Sequence, residues 1–133
     1  MRKRLVAGAI LLSALTLSAC QTTGQAPENP QAYIGTSDRH QAGYTDCLIR
    51  HSLVAHAKAG RGKISRNAVK AQCAQEQGEF YKAVWSNTFH GQRDNIQTSW
   101  RVATANAAVK IVDDEVFKTV EQRWNQAIAG KDI

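Results

Sequence analysis

The chain is poor in residues that interrupt helices. Of its 133 residues only two are proline, Pro27 and Pro30, and nine are glycine. From Ser37 onward there is no proline and almost no apolar–polar alternation. That argues against a sheet of several strands, which would need period-two patterning and turn residues at short intervals. No acidic residue precedes Glu28, and the uncharged, mostly apolar stretch from Leu5 to Ala19 is fifteen residues. Fifteen helical residues rise about 22 Å, short of the ~30 Å hydrocarbon core of a bilayer. There is no Cys-x-x-Cys, no His-Glu-x-x-His and no Gly-x-Ser-x-Gly. Gly60-Arg61-Gly62 lacks the Lys-Ser/Thr that would follow in a phosphate-binding loop. No internal repeat or low-complexity tract interrupts the body. A length of 133 residues allows one small domain, and a hydrophobic content of 43% with 21% charged residues excludes wholesale disorder.

What the sequence does contain begins at the N-terminus. Arg2, Lys3 and Arg4 precede the uncharged run, which ends in small residues, Leu17-Ser18-Ala19-Cys20. A basic head, a short apolar stretch and a small-residue ending describe an export signal rather than a membrane anchor. The ending resembles the lipobox of bacterial lipoproteins, and the resemblance covers the first 20 residues only. It implies attachment of lipid to the Cys20 sulfur, cleavage before Cys20 and acylation of the new amino terminus. Two or three acyl chains, at roughly 0.8 kcal/mol per buried methylene, hold stably where one would not. Gln21 follows the cysteine in place of the Asp that often retains such proteins at the inner membrane. The resemblance therefore implies a cell-envelope protein facing the periplasm, on the inner leaflet of the outer membrane.

Processing changes the charge. The formal +6 includes three basic residues from positions 1–19 and no acid, so the mature chain carries 14 Lys plus Arg against 11 acids, near +3. A nucleic-acid partner loses its electrostatic support. Residues 1–19 thus read as signal peptide and residues 20–36 as the lipid attachment site and a flexible linker. That linker holds both prolines and spans about 22 Å root-mean-square. Residues 37–133 read as the folded body.

That body is expected to be all-α, an antiparallel three- or four-helix bundle. Ser37 and Asp38 can open a first helix as N-cap and first-turn acid. At 100° per residue Tyr44, Cys47, Leu48, His51, Val54 and Ala55 share one face, while Ile49, Leu53 and Ala57 share the opposite one. Apolar groups on both sides predict a helix packed between neighbours. Ala59 to Lys63 supplies the break. Ser65 is an N-cap for a second helix, with Ile64 and Val69 placed as a hydrophobic staple. Its stripe is Val69, Cys73, Glu76, Phe80 and Val84, flanked by Tyr81 and Trp85, and a turn is expected around His90-Gly91. A third pattern runs from about Asp94 to Ala129 with Gly130 as a C-terminal stop. Ile96, Trp100, Ala103, Ala107 and Ile111 form one stripe of it, and Val109, Val112, Val116, Val120 and Trp124 form another. The drift near residue 112 predicts a kink, with Asp113 as a new N-cap. Asp113-Asp114-Glu115 would then complement a helix dipole rather than act as general acids. Trp85, Trp100 and Trp124 are expected to pack in or beside the core.

With Cys20 engaged by lipid, Cys47 and Cys73 remain. Both lie thirteen residues from Gly60 and on inward stripes, so an antiparallel hairpin brings them face to face. In an oxidising compartment they are expected to form a disulfide. Its closure of a 26-residue separation is worth roughly 3–4 kcal/mol on chain-entropy grounds. The alternative is a metal site in which Cys47 and His51, four apart on one helical face, meet Cys73, with Glu76 or Gln77 adding an oxygen. His51 toward the loop and those oxygens toward the other end weigh against it, so His51 reads as a packed or edge histidine and no cofactor is expected.

Between Asp46 and Glu76 there are six basic residues and no acid. Four of them, Lys58, Arg61, Lys63 and Arg66, crowd the expected turn. The ordinary reading of such a cluster is a solvated loop. The functional one is contact with anionic lipid, lipopolysaccharide phosphate or an envelope protein. No local context marks a nucleophile–base pair, so a binding or structural role in the envelope is favoured over a small envelope enzyme. A partner-specific inhibitor or immunity-type lipoprotein is the main rival. The native product is expected to lack residues 1–19 and to carry acyl groups on Cys20. Intact-mass analysis that finds Met1 retained and no lipid would refute this.

Overall fold

A computed structural model of the protein describes residues 26–88 and 98–131. The signal segment, Cys20, the expected turn at His90-Gly91 and Ile96 lie outside the described residues. The described chain is all-helical. After a single 3-10 turn, Pro30–Tyr33, come α1 (Ser37–Ala59), α2 (Arg66–Gln72), α3 (Ala74–Asn87) and α4 (Thr98–Lys131). Among the described residues there is no strand, and no helix is long and apolar enough to cross a membrane. α1 packs on α2, α3 and α4, and α3 packs on α4.

α1 opens one residue earlier than expected: Thr36, not Ser37, is the N-cap, Ser37 is the first helical residue, and Asp38 lies in the first turn as expected. It closes at Gly60, whose φ of 60° is the left-handed conformation that glycine adopts without strain. The buried line along it is Tyr44, Cys47, Leu48, Ser52 and His56. This departs from the expected face. Steps of four residues turn 40° beyond a full revolution, so a line built on 44, 48, 52 and 56 winds around the helix. Polar Ser52 and His56 go in, while Val54 is 48% and Leu53 46% exposed.

Ser65 caps α2, its side chain accepting the Ala68 N–H at 3.2 Å. Val69 is buried and Ile64 packs against the same core, as the staple pattern requires. The second helix is not continuous, however. It breaks at Cys73, which has φ −108° and ψ 21° and donates its N–H to the Lys70 carbonyl at 3.0 Å. The helix resumes at once, with Gln77 N–H donating to the Cys73 carbonyl at 2.9 Å. Neither Pro nor Gly marks the place. The break falls on the residue that is cross-linked to Cys47.

α4 corrects the third pattern. It runs unbroken for 34 residues through Asp113 and through Gly130, so the expected kink and the expected stop are both absent. Only one of the two stripes is core. Ala105, Val109, Val112, Val116, Phe117 and Val120 are buried, whereas Trp100 and Ile111 are each 64% exposed, against the expectation that Trp100 packs. The apparent drift is an exposed apolar stripe and a buried one on the same continuous helix.

The mid-helix position of Asp113 is explained by its partners. Its carboxylate accepts the Tyr44 hydroxyl and pairs with Lys70 Nζ at 2.8 Å. Three helices thus meet on one buried carboxylate, which is neither a helix-dipole acid nor a cap. Burial, then the hydrogen bond to Asp113 and its charge, push the Tyr44 phenol far above the ordinary tyrosine range.

The N-terminal segment is fastened earlier than Thr36. Tyr33 donates its hydroxyl to Glu79 at 2.8 Å, and Glu79 pairs with Lys82 at 3.2 Å. Asn87 acts as a clamp. Its Oδ1 accepts the Gly35 N–H at 2.8 Å, and its Nδ2 lies 2.8 Å from the Tyr33 carbonyl and 2.7 Å from that of Ala83. Burial acts to raise the Glu79 pKa, but the Tyr33 hydroxyl and Lys82 outweigh it and hold the carboxyl below its ordinary value.

Two predictions follow from these contacts. Asp113→Ala is expected to destabilise the oxidised protein by about 1–3 kcal/mol, the cost of orphaning the buried Tyr44 hydroxyl. Adding Tyr44→Phe should cost less than the sum of the single changes, as denaturant unfolding across a double-mutant cycle will show. At the N-terminal segment, a lowered Glu79 pKa means that its contribution is present above the ordinary carboxyl value and lost as pH falls through the lowered one. Tyr33 ring resonances are expected to move toward free-tyrosine values on acidification below that range. Glu79→Gln should remove that dependence.

Candidate functional site

The cluster predicted at the turn becomes a shaped surface through α4. The Trp124 indole donates its N–H to the Gly60 carbonyl at 3.0 Å and stacks on His56 with ring centroids 5.6 Å apart. That contact closes the end of α1 against the last third of α4. Gly62 lies so near the Ala59 carbonyl that a Cβ there would stand 3.1 Å from its oxygen, which fits the tight path of the loop. Arg66, the first residue of α2, lies with its guanidinium 5.3 Å from the centre of the Phe117 ring and 3.4 Å from the Glu121 carboxylate. Both charged side chains are about half exposed, so this pair positions Arg66 more than it stabilises the fold.

The result is a cleft of about 410 Å³ lined by His56, Arg61, Lys63, Arg66, Glu121 and Trp124 among others. Of the four basic residues singled out in the sequence, the structure brings Arg61, Lys63 and Arg66 to one cleft. Lys58 stands nearby in the last turn of α1 and is not in its lining. The wall that makes it a cleft comes from residues that sequence reasoning did not connect to the turn. Trp124 and Phe117 lie more than fifty positions away and read only as helix-stripe residues. His56 lies off the expected inward face, which runs through His51, yet the structure buries it. It is 5% exposed, and its Nδ1 is buried with no hydrogen-bond partner. Glu121 contributes the one carboxylate of the lining, so the cleft is basic but not uniformly so.

Cys47 and Cys73 are joined, with Cα atoms 5.8 Å apart. His51 is half-buried beside them. Its ring nitrogen and the two sulfurs all lie within 4.8 Å of one another. Glu76 is outside that group. The metal alternative therefore has three of its residues assembled, two of them engaged in the disulfide.

Two further surfaces are present. A groove of about 470 Å³ between α1 and α4 is floored by Ile49, Leu53, Val112, Val116 and Val120, with Arg123 in its lining. Ile49 and Leu53 belong to the second apolar face read on α1, which is left open rather than enclosed. Another cavity, about 550 Å³, lies between the N-terminal segment and α3. Comparison with protein families, with characterised proteins and with solved structures finds no match to this chain.

Trp124→Ala is expected to open the loop end while leaving the helical core folded. Faster amide exchange confined to residues 59–64, with unchanged exchange at the centre of α1, is the expected result.

Proposed function

We propose that the protein is a lipid-anchored module of a bacterial cell envelope that faces the periplasm and works by binding, with the basic cleft as its contact for phosphate-bearing partners. The observation that carries this reading is the cleft itself. Arg61, Lys63 and Arg66 converge against a wall of Trp124, Phe117 and His56 instead of radiating from a solvated turn. Clustered guanidinium and ammonium groups next to flat apolar surface suit a lipid or lipopolysaccharide phosphate. The compartment implied by the N-terminal residues leaves nucleic acid out.

Geometry adds a direction. The 23 residues of α1 span about 34 Å, with the fastened N-terminal segment at its start and the cleft at its end. An acylated Cys20 would attach the body at the opposite end from the cleft. In this reading α1 and α2 form an antiparallel hairpin pinned by Cys47–Cys73, and the hairpin carries the cationic tip away from the anchor.

A second reading, a partner-specific inhibitor or immunity-type lipoprotein, is favoured by a different observation. The α1–α4 groove and the exposed Trp100 and Ile111 leave apolar surface uncovered, as protein-docking faces do. A one-to-one complex recovered after crosslinking intact envelopes, lost on Leu53→Asp, would favour it.

The phosphate reading is tested with the chain from Gln21 onward, which has no acyl attachment. It is expected to bind phosphatidylglycerol vesicles at low salt and phosphatidylcholine vesicles weakly. Replacing Arg61, Lys63 and Arg66 together by Ala should weaken binding by about a hundredfold, at about 1 kcal/mol per basic residue, with helix content unchanged. Binding that survives the triple change refutes the reading.

A further inference from the structure

The contact of Cys47, Cys73 and His51 is independent of the anchor and of the basic cleft. Cys47 and His51 are one turn apart on α1, and Cys73 occupies the non-helical residue between α2 and α3. The two sulfurs are in the core, with Cys47 1% and Cys73 0% exposed, whereas His51 is half-buried at its edge. We propose that, once the disulfide is reduced, these three side chains form a site for zinc or a similar d¹⁰ dication, so that cross-link and metal are alternative staples of one junction.

The chemistry balances in two steps. A dithiol reductant delivers two electrons and two protons to the sulfur–sulfur bond, giving two thiols and becoming a disulfide itself. The cation then displaces both thiol protons to solvent and takes two thiolates and one imidazole nitrogen. Two thiolates match the charge of a dication, which matters where the sulfurs are removed from water. Zinc–sulfur bonds of about 2.3 Å and zinc–nitrogen bonds of about 2.0–2.1 Å are within reach of ligand atoms that already lie within 4.8 Å of one another. Only three ligands of this kind are grouped among the described residues. The fourth position is left for water on the half-buried His51 side, as in sites of three protein ligands and one open position.

The test uses the whole mature chain, reduced with a dithiol, freed of excess reductant and held without oxygen. Zinc is titrated against a chromophoric chelator, and cobalt(II) serves as a spectroscopic substitute. One zinc per chain is expected for reduced protein and none for oxidised protein. Cobalt should give the thiolate charge-transfer and tetrahedral visible bands. His51→Ala is expected to weaken zinc binding at least about tenfold while leaving disulfide formation in the oxidised protein intact. Loaded protein should resist thiol alkylation until chelator is added. Because reduction removes a cross-link from the fold, the same titration is run in guanidinium. Zinc binding no tighter in native buffer than in guanidinium, or unchanged by His51→Ala, overturns the proposal.

Discussion

The covalent link between Cys47 and Cys73 is the constraint on which the arrangement rests. It joins the middle of α1 to the single residue where the second helical segment breaks. That one tie lets α2 and α3 leave Cys73 separately. α2 brings Lys70 toward Asp113 and Arg66 toward Glu121, while α3 brings Glu79 and Asn87 to the N-terminal segment. A continuous helix from Arg66 to Asn87 would keep one stripe facing α1. The broken one serves two ends of the molecule. The buried Asp113 carboxylate then ties α4 to the same framework by accepting from Tyr44 of α1 and pairing with Lys70 of α2. Both partners come from other helices, so removing either leaves a buried carboxylate short of a partner.

Residues with a local chemical cause were legible from sequence. Gly60 ends α1 because a left-handed residue is needed, Ser65 caps α2 with its own hydroxyl, and Cys47 and Cys73, the expected pair, are joined. Residues whose placement depends on a distant partner were not. Asp113 looks like a cap because an acid next to a change of stripe usually is one, and only Tyr44 and Lys70 reveal it as a buried acceptor. Trp100 and Ile111 continue an apolar stripe that periodicity cannot distinguish from core, since an unpartnered face has the same spacing as a packed one. The break at Cys73 has no Pro or Gly to announce it.

The candidate site divides along the same line. Its charges were visible as a run of basic residues without an acid. Its shape was not, because most of the wall, Phe117 and Trp124, comes from α4. The indole of Trp124 must find the Gly60 carbonyl and the His56 ring before the loop has a fixed form, and nothing near residue 60 foretells this.

The partition of polar and apolar groups along α1 bears on what the molecule is built for. Ser52 and His56 are buried with Oγ and Nδ1 lacking partners, while Ile49, Leu53 and Val54 of the same helix are left partly in water. Each orphaned polar atom costs stability, and each uncovered aliphatic side chain forgoes stabilisation. Folding alone would favour the reverse. His56 is explained by its stacking on Trp124, which gives the basic cleft its wall. Leu53 and Ile49 are explained by the open α1–α4 groove. Both departures from the expected inward face therefore lie at the two surfaces, basic cleft and open groove, on which the proposed binding role draws.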